Sequence, residues 1–260
     1  MSKIDIRTAG SGTVVAGDYG NIRTAGSCRV VGDITCDSMH TAGSCHADAS
    51  IKCAGEIKTA GSCHISGNVE TVLMNTSGSC HVDGDLTADS LRTAGSCHIG
   101  GNINSKIEVR TAGSVHVGKS VHAEKLFCDG SLNVGGDCEA EEIRVCNPDV
   151  KGMLNGGSIE ITLNQNSREC FVDSIGCGSI IVDVDISIKG KGHFFFKKST
   201  SGMLTTNLIE ADDAKLAHVR ANRVRCKTAV IAPGCEIAIL EYSDNVEISE
   251  EAKVGELVKI

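Results

Sequence analysis

Hydrophobic and polar residues alternate along the first 147 residues in a pattern that repeats about every 17 residues. Alternation with a period of two predicts β-strands. Each copy contains the tetrapeptide Thr-Ala/Ser-Gly-Ser, which begins at Thr8, Thr24, Thr41, Thr59, Thr76, Thr93 and Thr111. A degenerate copy begins at Cys128, and residues 143–146 are predicted to form the next rung.

A single copy shows how one repeat is predicted to fold. In residues 91–99, one face of a strand is predicted to carry Leu91, Thr93, Gly95, Cys97 and Ile99, and polar or small residues fall on the other face. The turn formers Gly-Gly-Asn follow at 100–102, since such residues tolerate positive φ, and a short strand comes next. Since no helical pattern separates the copies, the repeats are predicted to stack as rungs about 4.8 Å apart. The fold class predicted is all-β: a single-chain parallel β-helix, or β-solenoid, with about 17 residues per rung.

The repeat ends after Asn147, and the organisation is predicted to change there. Residues 1–147 are expected to form the regular β-helix, and residues 148–260 a less regular continuation with closing strands at the carboxyl end. The cluster Phe194–Phe196 holds three of the five Phe residues. It has two interpretations, a locally widened core or an exposed patch that touches a partner or a membrane.

Composition narrows the range of functions. The chain has no Trp and 30 Gly, so the core is expected to be narrow and filled by small aliphatic residues and Cys. A net charge of −8 argues against a nucleic-acid partner. No apolar segment resembles a signal peptide or a membrane span, so a cytoplasmic location is expected, although membrane contact of another kind stays open. Reduced thiols are expected there, rather than a disulfide framework.

The recurring Cys-His dipeptide suggests metal binding or nucleophilic catalysis, but strand geometry argues against both. Adjacent residues of a strand point to opposite faces, so the two side chains of one dipeptide cannot meet. We therefore predict no catalytic residue, no metal site and no cofactor. The cysteines are expected to form a structural ladder in the core, continued by Val115 and Leu132 and made of Cys28, Cys45, Cys63, Cys80 and Cys97.

The outward residues of the repeat form a candidate binding strip. Small Ala and Ser side chains are edged by a histidine column and by basic residues, and the strip is expected to be flat. Its candidate residues are His46, His64, His81, His98, His116, Arg92 and Arg110. Three interpretations are open: a solvated face, a docking surface for a protein partner, or incidental capture of Zn²⁺ or Ni²⁺ by histidines of adjacent rungs.

The chain resembles the bactofilins, the polymer-forming cytoskeletal proteins of bacteria. The resemblance is carried by turns such as Val82-Asp83-Gly84-Asp85-Leu86 and by Pro233-Gly234-Cys235-Glu236-Ile237 and Leu240-Glu241-Tyr242, the latter two similar to bactofilin-like proteins of Gram-positive bacteria. It implies a right-handed β-helix that assembles end to end without nucleotide, while the spacing of apolar residues in 216–242 separately predicts three-sided coils. The chain departs from the family in its length, in its Thr-Ala-Gly-Ser-Cys-His repetition and in lacking the disordered flanking tails that many members carry.

These features predict a non-catalytic structural protein whose partner is another copy of itself. Ile4, Ile6, Arg7 and Thr8 already follow the rung pattern, so the first coil is expected to lack a cap and to associate through its open edge. Two alternatives remain. The first is a scaffold that holds a partner on the histidine and basic strip. The second is a hexapeptide-type acyltransferase, suggested only by Ile231-Ala232-Pro233-Gly234-Cys235.

Overall fold

A computed structural model of the chain describes residues 3–164, 170–185 and 202–260, and this part consists of β-strands and turns without a helix. Phe194–Phe196 lie outside the described residues. The strands are β1 (Ile4–Ala9), β2 (Gly12–Ala47), β3 (Ile51–Cys53), β4 (Glu56–Ile65), β5 (Val69–Val82), β6 (Leu86–Ile99), β7 (Ile103–Thr111), β8 (Val115–Val117), β9 (Val121–His122), β10 (Lys125–Val134), β11 (Cys138–Glu139), β12 (Glu142–Asn164), β13 (Cys170–Asp185), β14 (Leu204–Leu216), β15 (Val219–Ile231), β16 (Glu236–Ile248) and β17 (Lys253–Lys259).

Strands of successive repeats pair in parallel, and each repeat lies in register on the next. Thr59 pairs with Thr41 and with Thr76, and Cys80 pairs with Cys63 and with Cys97. The degenerate copy is in register too, since Cys128 pairs with Thr111. The predicted parallel β-solenoid with about 17 residues per rung is therefore confirmed, while its handedness and number of sides stay predictions.

The chain divides into two compact units, Met1–Gly135 and Gly136–Ile260. The change of pattern expected after Asn147 falls within β12, in the second unit. Rung length varies in that unit: Ile159 pairs with Ile180, 21 residues later, whereas Ile209 pairs with Val224, 15 residues later. This irregularity agrees with the loss of the strict repeat in the sequence.

The core of the first unit is narrow and almost free of large aromatic rings. Its fully buried side chains include Ile22, Ile57, Met74, Leu91 and Ile99, all on the inward face that the alternation predicts. Branched aliphatic side chains suit this position because they pack well on a pleated surface. Stacking then places each of them against an apolar residue of the adjacent rung.

The turns of the first unit use Asp and Asn as hydrogen-bond acceptors between rungs. The backbone N–H of Asp85 donates to Asn68 Oδ1 at 2.9 Å, and the N–H of Asn102 donates to Asp85 Oδ1 at 2.7 Å. Gly84 and Gly101, which precede two of these residues, do not have positive φ, whereas Gly32, which precedes Asp33 in an earlier turn, has a φ of 86°. These polar residues bridge consecutive rungs, which satisfies backbone groups that a turn leaves unpaired.

Positive φ recurs at the glycine of the repeated tetrapeptide. Gly43, Gly61 and Gly78 have φ of 121°, 124° and 126°, and the burial sequence from Thr41 to Cys45 is interrupted there by three exposed residues. The sequence predicted a flat strip, but the strip bends at its glycine. A Cβ at Gly61 would overlap the carbonyl oxygen of Gly43 in the adjacent rung, so this column requires glycine for both conformation and space.

A column of buried threonine hydroxyls lies beside this bend. In the described part of the chain, Oγ1 finds no hydrogen-bond partner in Thr24, Thr41, Thr59, Thr76, Thr93 or Thr111. By contrast, the buried Thr71 Oγ1 donates to the carbonyl oxygen of Gly55 at 2.8 Å. A buried hydroxyl without a partner costs about 1–3 kcal/mol, so the column lowers the stability of the fold.

We expect Gly61→Ala to lower the thermal unfolding midpoint strongly and Gly10→Ala to lower it less. Both glycines have positive φ, but a Cβ at Gly10 meets nothing within 4 Å. Gly10→Ala is the control, because it costs only the strain of alanine at positive φ, about 1–3 kcal/mol. Gly61→Ala adds to this strain a collision with the backbone of Gly43. Equal midpoints for the two variants, measured by circular dichroism, would contradict the stacked-glycine interpretation.

We expect Thr76→Val to raise the free energy of unfolding and Thr71→Val to lower it. Both threonines are buried on β5, but only Thr71 has a hydrogen-bonded hydroxyl. Replacing an unpaired hydroxyl with a methyl group removes a cost of about 1 kcal/mol or more, whereas Thr71→Val loses a hydrogen bond worth about 1 kcal/mol, although the Gly55 carbonyl keeps its backbone donors Val72 and Leu73. Denaturant titration measures both, and a loss of stability in Thr76→Val would refute the assignment.

Candidate functional site

The two side chains of each Cys-His dipeptide lie on opposite sides of the sheet. The ladder cysteines Cys28, Cys45, Cys63, Cys80 and Cys97 are between 3% and 4% exposed, and Val115 and Leu132 continue their column. The histidines that follow them are half-exposed or exposed. No dipeptide therefore brings a thiol and its own imidazole together, and the cysteines contribute volume to the core.

Burial and hydrogen bonds between neighbouring ladder thiols shift the pKa values of the cysteines in both directions. Burial raises the pKa of Cys138 to about 12. In the ladder, hydrogen bonds with Cys63 and Cys97, together with burial, raise the pKa of Cys80 far above that of a free thiol. Since the thiolate is the reactive form, Cys80 and Cys138 are inert at neutral pH. Hydrogen bonds with Cys45 and Cys80 lower the pKa of Cys63 to about 4, but Cys63 is buried in the core.

The histidine column is continuous on the outside of the first unit. Ring centroids are 4.9 Å apart for His46 and His64 and for His64 and His81, with the rings edge to face. His81, His98 and His116 are stacked nearly parallel at 4.3 and 4.7 Å. Partial burial and the neighbouring imidazoles lower the pKa of His98, which favours the neutral form of that ring.

Two carboxylates, which the sequence analysis did not consider, lie against this column. His46 Nε2 is 2.8 Å from Asp48 Oδ1, and Asp48 also accepts hydrogen bonds from Arg29. Asp83 lies between two imidazoles, with His64 Nε2 at 3.1 Å and His81 Nε2 at 2.7 Å. The hydrogen bond from His64 lowers the pKa of the Asp83 carboxyl. The signal in the sequence is an acidic residue two positions after a histidine, which places both on one face of the strand.

The other edge of the strip is a basic column, partly neutralised. Arg92 and Arg110 both form ion pairs with Glu108, at 2.7 and 3.6 Å. Nearer the amino terminus, Arg7, Arg23 and Lys58 line a groove with a floor of alanine and threonine and a volume of about 560 Å³. On the histidine side, a groove of about 690 Å³ is lined mainly by Ser, Cys and His. The predicted strip is thus present, but as two shallow grooves on either side of the bend.

The first and last strands expose side chains whose register partners on the adjacent strand are more buried. Leu257 on β17 pairs with Leu240, yet it is 48% exposed while Leu240 is fully buried. Ile4 on β1 is 71% exposed, and Ile6 and Thr8 are only half-buried, whereas their partners Ile22 and Thr24 are buried. Arg7 is exposed on the opposite face of β1, so the uncovered inward face of this strand consists of Ile4, Ile6 and Thr8.

No helix among the described residues is long and apolar enough to cross a membrane.

Two curated proteins of Bacillus subtilis (strain 168) are similar to the chain, and both are named as uncharacterized. YhbF is 31% identical over 109 residues, which is 42% of this chain and 42% of YhbF. YhbE is 29% identical over 112 residues, which is 43% of this chain and 44% of YhbE. The chain therefore matches less than half the length of either relative. No protein-family profile and no solved structure matches the chain.

We expect Cys80→Val to unfold close to the wild-type temperature and Cys80→Ser to be destabilised by about 1–3 kcal/mol. Val115 occupies the same column next to Cys97, so the column accepts a branched aliphatic residue, whereas serine would bury a hydroxyl in an apolar core. Thermal unfolding measures both variants. Serine tolerated as well as valine would show that the ladder is not a hydrophobic element.

Proposed function

We propose that the chain is a non-catalytic structural protein that self-associates through the open rungs at β1 and β17. The supporting observation is the exposure of core-column side chains there, above all Leu257, which would be buried if another rung covered it. Burying apolar surface is favourable by about 25 cal/mol per Å². A second copy supplies such a rung without any new kind of contact.

Backbone pairing adds to this driving force. In the described part of the chain, β1 pairs only with β2 and β17 only with β16, so one edge of each strand presents free N–H and C=O groups. Unprotected edges template further pairing. Both edge strands pair with the adjacent strand without a bulge, from Ile6 to Ala9 on β1 and from Leu257 to Lys259 on β17.

The geometry of the contact decides the assembly. One pair of equivalent rungs in contact gives a closed, isologous dimer, whereas use of both open rungs gives fibres. Fibres that need no nucleotide are what the resemblance to bactofilins implies. Each ladder cysteine that precedes a histidine is buried while that histidine faces outward, and this separation supports a role without catalysis.

A second candidate function is a scaffold that binds an acidic protein segment. The observation that favours it is the groove edged by Arg7, Arg23 and Lys58, a local concentration of positive charge in a chain of net charge −8. The glutamate that pairs with Arg92 and Arg110 weakens this surface further along the column. Binding there would weaken steeply with salt.

We expect Leu257→Asp and Ile6→Asp each to reduce self-association, because a charge would be buried in the new contact. Val72→Asp is the matched control, since Val72 is 47% exposed on a side face of the first unit rather than on an open rung. Light scattering across a concentration series, with electron microscopy of the same samples, measures assembly. If both Leu257→Asp and Ile6→Asp assemble like wild type, or if the wild-type protein is a monomer throughout, the proposal fails.

A further inference from the structure

The carboxylate of Asp83 and the imidazoles of His64 and His81 form a cluster that self-association does not use. We propose that these three side chains bind a divalent transition-metal ion of the Zn²⁺ type. Their ligand atoms all lie within 4.8 Å of one another. The sequence analysis considered metal capture by histidines of adjacent rungs, and this set adds a carboxylate as the third ligand.

The repeat positions the ligands. His64 on β4 and His81 on β5 are register partners, so their imidazoles leave the sheet side by side. Asp83 follows His81 by two residues and therefore points to the same outer face. Its two oxygens approach different rings, Oδ2 to His64 Nε2 at 3.1 Å and Oδ1 to His81 Nε2 at 2.7 Å.

The separations suit a metal ion after a small adjustment. Zinc binds nitrogen and oxygen at about 2.0–2.2 Å, so the ligand atoms of a tetrahedral site are about 3.4 Å apart. The oxygen and nitrogen atoms are 2.7 and 3.1 Å apart, and the half-exposed imidazole of His64 has room to rotate. Three protein ligands leave one position for water or another small ligand, as in zinc sites that keep an open coordination position.

The chain contains a related arrangement in which the carboxylate already has a permanent cation. Asp48 contacts His46 but also accepts two hydrogen bonds from the Arg29 guanidinium, at 2.8 and 3.1 Å. In the described part of the chain, Asp83 has ion pairs only with the two imidazoles. The Asp83 carboxylate therefore has no permanent positive charge beside it, and a bound metal ion would supply one.

The next rungs of the column confirm that the cluster is local. The residues two positions after His98 and His116 are Gly100 and Gly118, which offer no side-chain ligand. His98 instead stacks on His81, with centroids 4.3 Å apart and planes 14° apart, and so limits the movement of that ring. The site is predicted to be centred on Asp83 rather than spread along the column.

Isothermal titration calorimetry of the protein with Zn²⁺ alone tests the proposal. We expect wild-type protein to bind at Asp83, and Asp83→Asn and His64→Gln each to weaken binding at least tenfold. Asp48→Asn is the matched carboxylate control and His116→Gln the matched imidazole control, and both are expected to bind like wild type. Zn²⁺ should also raise the thermal midpoint of wild type and of both controls but not of Asp83→Asn.

Two outcomes overturn the proposal. In the first, Asp83→Asn binds Zn²⁺ with wild-type affinity, which would make the ion a ligand of histidines alone. In the second, Asp48→Asn or His116→Gln weakens binding as much as Asp83→Asn, which would show unspecific capture along the column. Circular dichroism of each variant shows whether the β-structure is intact, and Asp83 is exposed enough for its replacement to leave the core unchanged.

Discussion

In-register hydrogen bonding between parallel rungs is the constraint on which the rest of the structure depends. A rung that pairs residue by residue with its neighbour places every side chain beside its equivalent, and the repeat turns each position into a column. A position can then hold only residues that tolerate their own kind about 4.8 Å away. Glycine at the bend, cysteine and aliphatic residues inside, and small residues on the strip all satisfy this condition.

The same constraint creates the less favourable features. It stacks threonine hydroxyls where no partner reaches them, and it brings five imidazoles within ring contact on the outside. Protonating such a column would place like charges side by side, which agrees with the lowered pKa of His98. Asp48 and Asp83 offset this repulsion in their part of the column, and the second of these carboxylates creates the cluster for which we propose a metal ion.

Stacking also links the fold to the proposed function. An interior rung is covered by a neighbouring rung on each side, whereas the rungs at β1 and β17 are each covered on one side. A column can therefore be buried in the interior and exposed at β1 or β17. The contrast between Leu240 and Leu257 shows this in a single pair of residues. Self-association through these rungs and metal binding on the side face of the first unit use different surfaces, and each can be removed without the other.

The sequence by itself determined the strand periodicity, the rung length and the inward position of residues such as Cys80 and Leu91, because alternation and a fixed repeat are local properties. It also placed His64 and His81 on the outer face. Only the tertiary structure decided that Gly61 rather than Gly84 adopts positive φ, and that Asp83 contacts two imidazoles from consecutive rungs. Those features depend on distances between residues about 17 positions apart in the chain, which stacking sets and which the local order of residues does not encode.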